Sequence, residues 1–63
     1  MYVDPTSAWV QAAHGAAVRG ECDSVAHTGA ALYQTNRMVH DTVFLADPPI
    51  AWCIEQVRMR YGY

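Results

Sequence analysis

Apolar residues recur along this chain at helical spacing, and nowhere do they alternate as in a strand. Three helical stretches follow. The first is predicted from about Pro5 to Arg19, stopping near Gly20. Its apolar side chains are mostly small. Ala12, Ala16 and Gly20 recur every four residues, a strip on which another helix could pack closely. Gly15 within it costs about 1 kcal/mol relative to alanine.

The second stretch carries the most regular pattern. Val25, Gly29, Leu32, Asn36, Val39, Val43 and Ala46 are spaced alternately by four and three, a heptad-like repeat. It predicts one long central helix from about Asp23 to Ala46, capped by Asp23 or Ser24. Asn36 lies mid-seam, where a buried amide wants a partner, and the same residue of a second copy would supply one. The third helix is predicted from Pro48 to about Arg60, with Ile50, Cys53, Ile54, Val57 and Tyr61 as its buried stripe. Trp52 and Met59 form a row on another face.

Helix starts are marked at Asp4-Pro5 and Asp47-Pro48. Each pairs a carboxylate that can accept from orphan amides with a proline that has no amide to leave unsatisfied. The fold class is therefore all-α: a helical hairpin plus a third helix, with a long central helix and completion by oligomerisation.

Length changes this picture. A chain of 63 residues is one domain, and a domain this short buries only roughly 60% of its unfolded surface. With 52% hydrophobic residues, some apolar surface is expected to need a partner, so a homodimer through the Val25–Val43 seam is expected. Phe44, Trp9 and Tyr33 are expected to complete the core.

Charge narrows the partners. The net charge is −2, and the only basic residues besides histidine are Arg19, Arg37, Arg58 and Arg60. No broad basic face is available for phosphates or anionic lipid, so neither nucleic acid nor membrane is an expected partner. No apolar run approaches the roughly 20 residues of a membrane span. The N-terminus lacks the basic-then-apolar pattern of a signal peptide. The expected compartment is the cytoplasm. Cys22 and Cys53 permit one bridge at most, and reduced, buried thiols are the expectation there.

Candidate chemistry is sparse. His14, Cys22, His27, His40 and Cys53 are possible metal ligands, but neither Cys-x2-Cys nor paired histidines at i, i+4 occur. His27 is expected to pair with Asp23. Ser7, Ser24, Cys22 and His27 offer nucleophile and base types without a recognised signature. Neither catalytic residues nor a cofactor or metal are assigned, and the chain is not expected to be an enzyme.

What remains is a surface for another protein. Trp52, Met59, Arg58, Arg60, Tyr61 and Tyr63 gather near the C-terminal end, and aromatic residues beside arginine are enriched at interface anchors. The expected function is a non-enzymatic protein-binding module, a small regulator or inhibitor, with a phage or mobile-element origin as one version because the lysine-free, Ala- and Arg-rich usage suggests a GC-rich bacterial or phage source. Two alternatives are a His/Cys metal- or cofactor-binding module and a DNA-binding regulator. Val3-Asp4-Pro5 ahead of an Ala-rich helix resembles small helical proteins of type VII secretion. The Trp-x-Gly turn of that family is missing, so no membership is assigned.

Overall fold

The computed structural model describes residues 5–62, so the Asp4 cap and Tyr63 lie outside the described residues. Among the described residues all regular structure is helical. Helix α1 is Pro5–Val18, α2 is Cys22–Thr35, α3 is the single turn Arg37–Val39, a π-helix follows over His40–Phe44, and α4 is Pro48–Tyr61. Helices α1, α2 and α4 pack on one another around a single core.

Helix α1 ends where the sequence expects. Gly20 has φ +81°, the left-handed region that favours glycine. The Gly20 amide donates to the Ala17 carbonyl at 3.0 Å and the Glu21 amide to the Ala16 carbonyl at 2.8 Å. That bond pair is a Schellman turn, which satisfies carbonyls the helix leaves unpaired. The packing face is not the Ala12-Ala16-Gly20 strip. Ala13, Ala16, Ala17 and Val10 are buried, whereas Ala12 and Gly20 are exposed. Helix α2 starts at Cys22 without a side-chain cap, so neither Asp23 nor Ser24 caps it.

The two cysteines are not reduced thiols. Cys22 and Cys53 form a disulfide across a sequence separation of 31. It joins the first turn of α2 to the middle of α4, and both residues are buried in the core. Beside it Val25, Leu32, Ile50 and Phe44 are fully buried.

The long central helix is broken at Asn36. Its backbone leaves the helical region, at φ −150° and ψ 87°. The Asn36 amide still donates to the Leu32 carbonyl at 2.8 Å, closing α2. Its side-chain oxygen accepts from the Val39 amide at 3.2 Å, opening the next turn. Asn36 is thus a cap for two helical pieces rather than a buried amide awaiting a second copy, because capping satisfies it locally. The seam therefore has no continuous exposed row. Val25, Gly29 and Leu32 are buried within the single chain, Asn36 and Val39 are half-buried, and Val43 is exposed.

The π-helix explains why Phe44 replaces Val43. The Leu45 amide donates to the His40 carbonyl at 3.1 Å, a bond to the fifth preceding residue. Such a turn takes one more residue than an α-turn, so the heptad phase slips and Phe44 enters the core. Helix α4 then begins as expected. Asp47 Oδ1 accepts from the Ile50 amide at 3.2 Å, with Pro48 in the first turn. The other oxygen of Asp47 accepts from His14 Nδ1 at 2.7 Å, tying α1 to the start of α4.

Gly29 is required by this packing. A Cβ there would stand 2.9 Å from Phe44 Cε1 and 3.0 Å from Cζ, inside real contact distances. Phe44 is fully buried and cannot swing out. At Gly15 the nearest neighbour of such a Cβ is the exposed, movable Arg19 guanidinium at 3.3 Å. Gly15→Ala should therefore raise stability by up to about 1 kcal/mol through helix propensity. Gly29→Ala should lower it by about 1–2 kcal/mol, because overpacking outweighs the same propensity gain. Urea titrations of the two variants check the opposite signs, and stabilisation by Gly29→Ala would contradict the packing of Phe44.

Candidate functional site

A groove lies between α2 and α4, closed at one end by the π-helix. Its volume is about 700 Å³. Small residues of α2, namely Ala26, Gly29 and Ala30, form one wall; Ile54, Val57 and Arg58 of α4 form the other. Both triplets follow i, i+3, i+4 spacing, so each wall is one face of a helix. Phe44, Leu45 and His40 stand at the closed end. Of the large exposed apolar side chains, Tyr33 and Leu45 border this groove.

A column of rings shapes the closed end. The imidazole of His40 stacks on Phe44, with centroids 5.5 Å apart and planes at 19°, and meets the Tyr33 ring edge-on at 5.3 Å. The Arg37 guanidinium lies 4.3 Å over Tyr33, close enough for a cation–π contact. His40 Nδ1 donates to Asp41 Oδ1 at 2.8 Å, and Arg37 Nε reaches Asp41 Oδ2 at 3.3 Å. Tyr33, His40 and Phe44 are seven and four residues apart, a spacing that helical periodicity places on one side.

The anticipated partner-binding residues divide between two places. Arg58 borders the α2/α4 groove. Trp52 and Arg60 line a second hollow of about 390 Å³, with Gln56 and the turn Gly20–Ser24. Trp52 is 56% and Met59 72% exposed, so the second row of α4 stays outside the core. Tyr61, expected in the buried stripe, is 60% exposed. Trp9 and Tyr33 are likewise not core residues; Trp9 borders a furrow with Ala12 and His27, and Tyr33 borders the groove. The aromatic column was not anticipated from the sequence, although Tyr33, Arg37, His40 and Phe44 are spaced by four, three and four, which is the spacing of one helix face.

The other candidate chemistry does not converge. Ser7, Ser24 and His27 border three different hollows. Cys22 and Cys53 have no thiolate to offer, because each sulfur is bonded to the other. Asp23 pairs with Arg60 at 3.5 Å in place of His27. Among the described residues no three His, Cys, Asp or Glu side chains gather as metal ligands. No described helix is long and apolar enough to cross a membrane. Comparison with family models, curated proteins and solved structures gives no significant match.

Asp41 links the column to pH. The hydrogen bond from His40 holds its carboxyl below the ordinary value of 3.8; desolvation opposes this, and the positive charge of Arg37 adds to the lowering. The folded state therefore favours the carboxylate. The stabilisation is present above pH 3.8 and is lost as pH falls below it, through the lower folded value. Asp41→Asn should be less stable than the parent chain above pH 3.8, with the difference closing as pH falls below it. Thermal unfolding across that range checks it, and a gap that is constant with pH would contradict the assignment.

Proposed function

We propose that the chain is a non-enzymatic protein-binding module that acts through the α2/α4 groove. The observation that supports this most is the groove itself: an apolar channel on a very small domain, with Tyr33 and Leu45 left exposed at its edges. Exposed apolar patches of this kind on small soluble domains mark interaction surfaces. Paired helical faces form the usual receiving surface for a partner helix. Trp52, Met59 and Arg60 form a second, separate set of exposed side chains, which suits the rim of an interface rather than its centre.

A regulator or inhibitor is the functional class that fits such a module. Self-association through the Val25–Val43 row is not part of this reading, since Val25 and Leu32 are engaged inside the chain. The compartment is revised with it. Disulfides persist in oxidising surroundings and are rare where thioredoxin and glutathione keep thiols reduced, so the Cys22–Cys53 bond favours an oxidising compartment over the cytoplasm.

Placing a photoreactive residue at position 30, in the groove, and at position 51, exposed on α4 outside it, tests the proposal. Irradiation in cells of the source organism should give a discrete protein adduct from position 30 and none from position 51. The captured protein, once purified, should bind the recombinant chain. Adducts of equal yield from both positions, or none from either, would contradict the reading.

A further inference from the structure

The groove has a chemical signature beyond being apolar. No carboxylate lines it; the ionisable side chains at its edge, Tyr33 aside, are Arg58 and His40. The nearest carboxylate to Arg58 is Glu55, on the same helix, at 3.8 Å. That exceeds a hydrogen-bond length, so guanidinium donors of Arg58, which is 60% exposed, face the solvent at the groove's edge. Asp41 is turned to Arg37 and His40 and does not line the groove.

Resting on the protein-binding reading above, we infer that the occupant is an amphipathic helix of another protein with a carboxylate beside its apolar stripe. The walls set the shape. From Ala26 to Tyr33 the groove runs for about 10 Å, two turns of a helix. Ala26 and Ala30 have almost no side chain to hold a partner backbone away, the space beside Gly29 is taken by the Phe44 ring, and Ile54 and Val57 supply the apolar contact opposite. A stripe of large aliphatic residues at i, i+3 or i+4, and i+7 fills that length. A glutamate or aspartate on its flank meets Arg58 in a charge-assisted bond.

The same chemistry argues against a second copy. A two-fold contact pairs a patch with itself. Groove facing groove would bring Arg58 toward its own equivalent, while Asp41 stays engaged with His40 and Glu55 lies outside the lining, so neither copy offers a carboxylate from its groove to Arg58.

Three synthetic peptides of about four helical turns (~14 residues), with one leucine stripe and flanks of Glu, Gln or Lys, form the test by fluorescence anisotropy. The Glu peptide should bind about threefold more tightly than the Gln peptide, the Lys peptide should be weakest, and added salt should narrow the difference. Arg58→Gln should abolish the Glu preference. Ala30→Arg, at an exposed position, should block all binding; Ala30→Gln serves if that variant loses its circular dichroism. Equal affinity for the three peptides would overturn the acidic-helix inference while leaving a protein-binding groove. Binding of none would overturn both. A concentration-dependent dimer in sedimentation, dispersed by Ala30→Arg, would make a second copy the occupant and overturn the inference as well.

Discussion

Two helices that meet at one covalent bond organise this small domain. The Cys22–Cys53 disulfide fixes the start of α2 against the middle of α4. A chain of 63 residues has too little interior to depend on burial alone, and small folds commonly rely on a cross-link for that reason. Closing a loop of this separation removes unfolded-state entropy worth about 4 kcal/mol at room temperature in the chain-entropy picture. Natural domains are stable by only about 5–15 kcal/mol in total, so the bond is a large share of what keeps this one folded. Val25 and Ile50 pack in the same core as the bond, and the groove between α2 and α4 inherits its walls from that fixed pairing.

The second organising feature is the joint at residues 36–44. An uninterrupted helix through this region would continue the heptad phase and place Val43 inward. Instead Asn36 closes one helix and caps the next turn, and the π-turn slips the phase by a residue. Phe44 then fills the space that Gly29 leaves open. The same segment supplies His40 and Phe44 to the groove, with Leu45 directly after it. A structural irregularity here coincides with the most distinctive surface of the molecule, a pattern common for π-turns.

Much of the helical framework was legible in the sequence, because its signals are local. Gly20 as a helix stop, Asp47-Pro48 as a helix start, and the Ile50-Cys53-Ile54-Val57 stripe depend on residues within a few positions of one another. The misread features depend on contacts distant in sequence or on competition between local options. An asparagine in a heptad row can be a buried amide or a cap, and spacing alone does not discriminate; here its side chain found the Val39 amide. The thiol state of two cysteines separated by 31 residues depends on whether the fold brings them together. Tyr33 and Trp9 were expected inside because they are large, yet small residues such as Ala13, Ala16 and Ala17 let the helices pack closely and left no room for them. Of the candidate site, the exposed Trp52–Met59 row was foreseeable from helical phase, whereas the groove depends on how α2 and α4 pair in space, which no local pattern fixes.

The surface chemistry follows from how little interior there is. Once the staple, Phe44 and the small-residue contacts have used the available core, the remaining aromatic and aliphatic side chains are left on the outside, with arginines beside them. Whether the staple truly carries this arrangement is tested most directly by urea unfolding of the protein with and without reductant, followed by circular dichroism, with thiol counts confirming each state. The account predicts one cooperative transition for the oxidised protein and a loss of about 4 kcal/mol on reduction. Coincident unfolding curves, with the cysteines shown to be bridged in one sample and free in the other, would contradict it.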